Sequence, residues 1–125
     1  MAQILIIDDE TLVLSTLKIV LTKAGHTVRT AANGRDGLTM RSTERPDLLI
    51  TDIVMPGLGG IETIRATHAE DPDLPIIAMS GSDSSENFEL LQAARKDGAS
   101  GVLPKPFTKD QLISTVNRCL KSLPH

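Results

Sequence analysis

The sequence has few residues that could form disulfides or stack on aromatic rings. Of its 125 residues only Cys119 is a cysteine, and there is no tryptophan or tyrosine. One thiol cannot form an internal disulfide, which favours a reducing compartment and predicts a cytoplasmic protein. Phe88 and Phe107 are the only aromatic residues, so stacking on flavin or nucleotide rings is poorly provided for.

Excess positive charge and long apolar runs are absent as well. The 13 Lys and Arg residues stand against 16 Asp and Glu, a formal net charge of −3. This balance argues against a nucleic-acid partner, because phosphate contacts need clustered cations. The apolar run 4–7 is too short for a signal peptide, and no run approaches the roughly 18 residues of a membrane span. We therefore expect neither nucleic acid nor membrane as a partner.

What the chain does contain is the composition of one ordinary globular domain. Hydrophobic residues make up 40% and charged residues 23% of the sequence, and no linker or internal repeat divides it. A chain of this length can bury a core without metal or disulfide support. We predict a single domain over residues 1–125.

Short apolar runs alternate with amphipathic stretches along the whole chain. Most of the runs are continuously apolar, which is typical of parallel strands covered on both faces. The alternation predicts an α/β fold, in which a doubly wound five-stranded parallel sheet forms a (βα)5 three-layer sandwich. The runs that predict the five strands are 4–7, 27–31, 48–51, 76–79 and 101–103.

Helical spacing accounts for the segments between the strands. Val13, Leu17, Val20 and Ala24 share one face of the first helix, and Leu112, Val116, Leu120 and Leu123 share one face of the last. Both faces are expected to point inward. Helices are also predicted near 34–44 and 60–70, and Gly25 and Gly98 are predicted to end the helices that precede them.

Polar residues leave four of the five predicted strands at the same edge of the sheet. Asp8 and Asp9 follow the first strand, Asp52 ends the third, Ser80 ends the fourth, and Lys105 lies two residues beyond the fifth. In a doubly wound sheet, ligands bind outside the carboxyl ends of the strands. Each residue taken singly could be only a helix cap or a solvated loop charge.

Taken together, these residues indicate a particular chemistry. Three clustered carboxylates repel one another unless a cation binds or a proton is retained, and carboxylates with waters suit Mg²⁺. A carboxylate beside Mg²⁺ can attack phosphorus and form an aspartyl phosphate. Lys105 could then neutralise charge on the phosphoryl group, and the hydroxyl of Ser80 could donate to one of its oxygens.

Four segments of the sequence have a recognisable pattern: residues 6–10 (IIDDE), 47–57 (DLLITDIVMPG), 77–81 (IAMSG) and 103–107 (LPKPF). With these segments the chain resembles, over nearly its whole length, the receiver domain of two-component response regulators. The resemblance implies a flavodoxin-like sheet with strand order 2-1-3-4-5. It also implies that the domain is not an enzyme, apart from catalysing its own phosphorylation and dephosphorylation.

The resemblance also implies roles for individual residues. Asp52 would accept a phosphoryl group from a histidine kinase or a histidine phosphotransfer protein. Asp9 and Asp52 would bind Mg²⁺ directly, together with the backbone carbonyl of Val54, and Asp8 would act through metal-bound water. Ser80 and Lys105 would be the switch hydroxyl and its basic partner, and the Lys105-Pro106 peptide bond would be cis.

Three features depart from the family pattern. Val102 stands where the family often has Tyr or Phe, which puts the usual aromatic switch in doubt. The stretch 81–88 is long and polar, and Phe88 either supplies the missing aromatic contact or anchors the fourth helix. The chain ends at 122–125 without an output domain, so it is either a single-domain regulator or part of a larger protein.

Several functions remain open at this stage. The first is a phosphorylation-controlled module that changes the surface it presents to a downstream protein, as a monomer or a weak dimer; a phosphorelay intermediate or phosphate sink needs the same site. An aspartyl-phosphate phosphatase would usually have a second Asp at position 54, which is Val. A flavodoxin-like cofactor binder would not carry acids after its first strand.

Val54 and Ser82 occupy positions that help to place the attacking water in the family, and the apolar Val54 predicts slow self-dephosphorylation.

Overall fold

The computed structural model describes residues 2–55, 57–80 and 85–121, with only the backbone for 85–88. Strands and helices alternate strictly along the described chain. The strands are β1 (Gln3–Ile7), β2 (Thr27–Ala31), β3 (Leu48–Asp52), β4 (Ile76–Ser80) and β5 (Gly101–Pro104). The helices are α1 (Thr11–Lys23), α2 (Gly34–Thr43), α3 (Gly60–Glu70), α4 (Ser85–Lys96) and α5 (Lys109–Lys121).

All five strands run parallel in one sheet of order β2-β1-β3-β4-β5. β1 lies next to β3, and Ile6 pairs with Thr30 of β2 on one side and with Ile50 of β3 on the other. The predicted fold class and strand order are confirmed. Because the strands are parallel, the residues that follow β1, β3, β4 and β5 meet at one edge of the sheet.

The sheet is buried on both faces, as the continuous apolar runs predicted. Ile4 and Ile6 pack into a core with α1 and α5. Leu5 and Ile7 point to the opposite face, where the core includes residues of α3 and α4. Successive side chains of a strand point to opposite faces of the sheet. When both faces are covered by apolar cores, every position along the strand favours an apolar residue.

Two strand ends position residues of the site. β3 and β4 each extend one residue beyond the apolar runs 48–51 and 76–79, so that Asp52 and Ser80 are the last residues of their strands, as predicted. Asp52 pairs in register with Met79, and Ser80 with Pro104. Both polar side chains are therefore held by regular strand backbone.

The inward face of α1 was predicted slightly out of position. Its buried residues are Leu14, Leu17 and Leu21, whereas Val13 and Val20 lie at the margin of the core. Ala24 is exposed and follows the helix. The prediction was wrong there because Gly25, with φ of 100°, already turns the chain toward β2.

The predictions for α2, α3 and α5 agree more closely with the structure. Leu112 and Val116 are buried as predicted, together with Thr115 and Cys119. Leu123 lies outside the described residues. The predicted bounds 60–70 of α3 are confirmed, and α2 ends at Thr43, one residue early. No helix in the described ranges has the length and apolar character needed to span a bilayer.

Candidate functional site

Asp8 is the most deeply buried charged residue of the site. It follows β1 directly, and none of its surface is exposed. One carboxylate oxygen, Oδ1, accepts a hydrogen bond of 2.9 Å from the backbone N–H of Glu10. The other, Oδ2, accepts one of 3.0 Å from the Lys105 ammonium. Both oxygens are thus fixed by donors.

Asp52 lies at the end of the neighbouring strand and is 5% exposed. Its Oδ1 accepts a hydrogen bond of 3.0 Å from the N–H of Ile53, and its Oδ2 lies 3.8 Å from Lys105 Nζ. Gly60 explains how the chain leaves β3 so tightly. A Cβ at that position would lie 2.1 Å from the Asp52 carbonyl oxygen, so only glycine allows α3 to begin against the strand end.

Lys105 is brought to the carboxylates by the β5–α5 connection. Its backbone N–H donates to the carbonyl of Ser80 at 2.7 Å, and its peptide bond to Pro106 is cis, as the resemblance implied. The ammonium lies between Asp8 and Asp52 and contacts both. One cation therefore serves two nearly buried carboxylates.

The pKa of Asp52 is raised, and burial is the main cause. Burial raises it from the ordinary value of 3.8 to about 6, the charges of Asp8 and Asp9 add to the rise, and Lys105 opposes it. Burial also lowers the pKa of Lys105, but its hydrogen bond to Asp8 and the charges of Asp52 and Asp8 outweigh burial, so the net shift is upward. Lys105 thus stays charged at neutral pH.

The carboxylates of Asp8, Asp9 and Asp52 converge on one point. Each offers an oxygen, and these oxygens all lie within 4.8 Å of one another. Asp9 is exposed, which opens the cluster to solvent. A set of hard oxygen donors with open sides, around a carboxylate whose pKa is raised by burial, fits a cation such as Mg²⁺, which keeps several waters when bound.

The remaining predicted residues are placed less completely. Ser80 is fully buried at the end of β4. Val54 lies in the β3–α3 loop with its side chain 60% exposed. Val102 on β5 is half-buried against the core of the α3 and α4 face, and Pro106 is exposed. The side chain of Phe88, and all of Ser82, lie outside the described residues.

Two features of the site were not anticipated from the sequence. Glu10, at the N-cap of α1, donates its backbone N–H to Asp8 and makes no side-chain cap. The ion pair between Lys105 and Asp8 joins residues 97 positions apart. No sequence spacing signals that pair, because it depends on how far the β5–α5 connection reaches back across the sheet.

The fold, with acids after β1 and at the end of β3 and a lysine after β5, defines a class of signalling domain. Residues 4–117 match the sequence model of the response regulator receiver domain. The chain belongs to this family. Receiver domains are signalling domains of two-component systems that bind Mg²⁺ at an acidic pocket and interact with histidine kinases or phosphotransfer proteins and with downstream targets.

Individual relatives agree with the family match. Protein PilH of Pseudomonas aeruginosa is 36% identical over 122 residues, which are 96% of this chain and 98% of PilH. Response regulator MprA of Mycobacterium ulcerans is 37% identical over 120 residues, or 95% of this chain but 50% of MprA. The chain thus spans about half the length of the MprA relatives. The prediction of one domain over 1–125 stays a prediction.

A solved structure shows the same architecture. A response regulator receiver domain protein of Clostridium thermocellum superimposes with a TM-score of 0.89 at 31% identity, covering 97% of this chain and 95% of that one. The match favours the signalling interpretation over the phosphatase and the flavodoxin-like cofactor binder.

Proposed function

We propose that Asp52 accepts a phosphoryl group from phosphohistidine in a Mg²⁺-dependent reaction, and that this changes the surface presented to a downstream protein. The observation that carries the proposal is one nearly buried carboxylate, that of Asp52, 3.8 Å from the Lys105 ammonium, which also contacts the buried Asp8 at 3.0 Å. The groups that converge in the acidic cluster are the carboxylates of Asp8, Asp9 and Asp52.

The transfer needs no separate general base. Above its pKa of about 6, Asp52 is mostly ionised. An oxygen of its carboxylate attacks phosphorus, the P–N bond of the phosphohistidine breaks, and the electron pair of that bond stays on the imidazole nitrogen. The hydrogen bond that the Ile53 N–H donates to Asp52 Oδ1 orients the carboxylate and leaves Oδ2 as the oxygen that reacts.

Asp8, Asp9, Asp52 and the backbone carbonyl of Val54 are the groups that would hold Mg²⁺. When bound, the ion offsets the negative charge that gathers on the transferring phosphoryl group. Lys105 contributes the second positive charge from the side of β5. The backbone N–H of Lys105 donates a hydrogen bond to the carbonyl of Ser80. A shift of the Lys105 side chain toward the phosphoryl group and a rotation of the Ser80 hydroxyl therefore involve two segments whose backbones are hydrogen-bonded to each other.

The phosphorylated domain either presents a changed surface to a downstream protein or passes its phosphoryl group on, and the residue at position 102 bears on this choice. Val102 is half-buried and small, so the domain has no aromatic side chain at this position of β5 to swing between two states. This favours a phosphorelay intermediate or phosphate sink as the second candidate. In either case we expect the protein to act in the cytoplasm, as a monomer or a weak dimer, with a histidine kinase or phosphotransfer protein as donor.

Intact-mass spectrometry after incubation with acetyl phosphate tests the proposal directly. The expected result is one phosphoryl increment that requires Mg²⁺ and is absent from Asp52→Asn. Asp36→Asn is a matched control, since Asp36 is an exposed acid in the first turn of α2; it should be labelled like the wild type.

Two results would contradict the proposal. Stoichiometric labelling of Asp52→Asn would place the phosphoryl group elsewhere. Failure of the wild type to bind beryllofluoride in the presence of Mg²⁺, together with no labelling by acetyl phosphate, would mean that the acidic cluster does not carry out this chemistry.

A further inference from the structure

Thr51 places a hydroxyl in the buried part of β3, directly before Asp52. None of its surface is exposed. It pairs in register with Ile7 of β1 and Ala78 of β4, and both of these residues belong to the apolar core on the α3 and α4 face. Burying a hydroxyl among apolar side chains costs free energy unless the hydroxyl is hydrogen-bonded. A valine would have a similar shape without this cost, so the hydroxyl needs a physical reason.

The hydroxyl of Thr51 donates a 3.0 Å hydrogen bond to the backbone carbonyl of Asp52. That carbonyl lies against the start of α3, where a Cβ at Gly60 would come within 2.1 Å of the oxygen. The close backbone of Gly60 leaves little room for water on this side, and a buried carbonyl without a donor is costly. The hydroxyl therefore supplies, from inside the core, a donor to the last carbonyl of β3.

The carbonyl of Asp52 belongs to the same peptide group as the N–H of Ile53. A peptide group is planar, so its two ends cannot turn independently. The N–H end is shared between two acceptors: it donates to the Met79 carbonyl at 2.9 Å and to Asp52 Oδ1 at 3.0 Å. Thr51 thus holds one end of a rigid group whose other end orients the carboxylate of Asp52.

The orientation of this peptide group matters for the reacting oxygen. A turn of the group would move the Ile53 N–H away from Oδ1 and free the Asp52 carboxylate to rotate. With the N–H in place, Oδ1 is engaged and Oδ2 lies 3.8 Å from the Lys105 ammonium. Attack on phosphorus requires an aligned oxygen, and small errors of placement slow such reactions strongly.

We propose that Thr51 is a positioning residue for phosphoryl transfer, whose hydroxyl fixes the peptide group between Asp52 and Ile53 and, through it, the carboxylate that receives the phosphoryl group. The hydroxyl acts through this peptide group and not on the reacting atoms. The inference rests on the proposed function of Asp52. It assigns a catalytic consequence to a hydrogen bond made inside the core, on the far side of the peptide group from the carboxylate.

Substitutions at position 51 separate the hydroxyl from the volume of the side chain. Thr51→Val replaces the hydroxyl with a methyl group, and Thr51→Ser keeps the hydroxyl and loses the methyl group. Thr51→Ala lacks both, so its comparison with Thr51→Ser isolates the hydroxyl even if Thr51→Val does not fold. The measurement is the initial rate of labelling by acetyl phosphate and Mg²⁺, followed by intact mass. We expect labelling about fivefold slower in Thr51→Val than in the wild type, and about fivefold faster in Thr51→Ser than in Thr51→Ala.

Thr115→Val is a matched control. Thr115 is also buried, and its hydroxyl donates a 2.8 Å hydrogen bond to the carbonyl of Gln111, but it lies on α5. The control loses the same kind of hydrogen bond without changing the peptide group beside the phosphoacceptor. Its labelling rate should stay within about twofold of the wild type. Circular dichroism checks that each variant is folded under the labelling conditions.

Hydrogen exchange of the ¹⁵N-labelled protein gives a readout that needs no phosphorylation. Ile50 lies in the middle of β3, so exchange of its N–H follows larger openings of the sheet, whereas exchange of the Ile53 N–H also follows local turning of the peptide group. In Thr51→Val we expect the Ile53 N–H to exchange about fivefold faster relative to the Ile50 N–H than in the wild type. A general loss of stability would speed both exchanges equally.

Several results would overturn the proposal. Labelling of Thr51→Val at the wild-type rate, or of Thr51→Ser no faster than Thr51→Ala, would show that the hydroxyl is not needed. Equal slowing in Thr115→Val would assign the effect to the loss of any buried hydroxyl. If the wild type itself is not labelled, the proposed function of Asp52 fails. The relative exchange of the Ile53 and Ile50 amides then still decides whether Thr51 holds the peptide group, and an unchanged ratio in Thr51→Val would show that it does not.

Discussion

The Lys105 ammonium lies closer to Asp8 than to Asp52, at 3.0 Å from Asp8 Oδ2 and 3.8 Å from Asp52 Oδ2. The fully buried carboxylate thus has the shorter ion pair, and the proposed phosphoacceptor has the longer one. This leaves Asp52 Oδ2 the less constrained oxygen of the two, and it makes Lys105 the main source of positive charge for both acids.

Replacing this cation should destabilise the fold. We expect Lys105→Met to lower the free energy of unfolding by about 2–4 kcal/mol at neutral pH, because a buried charge loses its partner. Urea unfolding in EDTA measures the change. Lys96→Met, at an exposed position of α4, should change it by less than about 0.5 kcal/mol. Equal effects of the two substitutions would show that the ion pair contributes nothing.

The raised pKa of Asp52 predicts an unusual dependence of stability on pH. The folded protein holds the proton on Asp52 up to about pH 6, whereas the unfolded chain releases it near 3.8. The folded state therefore binds more protons between these values. The stability that comes from the protonated carboxyl is fully present below about pH 4 and is lost as the pH rises through 6, a loss of about 3 kcal/mol.

Asp52→Asn cannot ionise and should escape this loss. In EDTA we expect it to be more stable than the wild type at pH 7.5, by about 1–3 kcal/mol, and the difference should shrink toward pH 5. Urea unfolding at the two pH values measures it. A difference that stays constant with pH would argue against a raised pKa. Adding Mg²⁺ should stabilise the wild type more than the variant.

Val54 should govern how long a phosphoryl group stays on Asp52. Its exposed apolar side chain cannot hydrogen-bond an attacking water. Val54→Asn provides such a group, and one hydrogen bond of about 1 kcal/mol corresponds to about fivefold faster decay. Loss of the phosphoryl mass after removal of acetyl phosphate gives the rate. Val54→Ala is the control, and decay no faster in Val54→Asn than in Val54→Ala would contradict this role.

Adjacent glycines at the start of α3 offer a matched test of the packing around Asp52. A Cβ at Gly60 meets the Asp52 backbone at 2.1 Å, whereas one at Gly59 meets only the mobile end of Glu62. Gly60→Ala should therefore cost about 2–3 kcal/mol and weaken labelling of Asp52, while Gly59→Ala should cost less than about 1 kcal/mol. Thermal unfolding and intact-mass labelling measure the two effects, and similar losses in both variants would mean that the close approach at Gly60 is not required.

Features governed by local periodicity were predictable from the sequence. The bounds 27–31 of β2 and 60–70 of α3 are confirmed, because turn residues and the apolar pattern mark both ends. The inward face of α1 was wrong by part of a turn, since Val13 and Val20 have the same apolar character as Leu14 and Leu21. Only packing against β2 and α5 distinguishes them.

The site was predictable as a set of residues but not as a set of contacts. Strand ends in a parallel sheet share an edge, which brought Asp8, Asp52 and Lys105 together by topology alone. The sequence could not tell that Lys105 favours Asp8, or that burial would raise the pKa of Asp52. Both depend on distances of a few tenths of an ångström and on how much water the fold excludes.

The separation of 97 positions between Asp8 and Lys105 also orders events during synthesis. A ribosome releases the chain from its N-terminus, so the strand that carries Asp8 and the one that carries Asp52 emerge well before the lysine that neutralises them. β5 is both the last strand made and an edge strand of the sheet. The nascent domain therefore carries its acids without their internal cation until its final strand is added, and only then does it acquire a complete site.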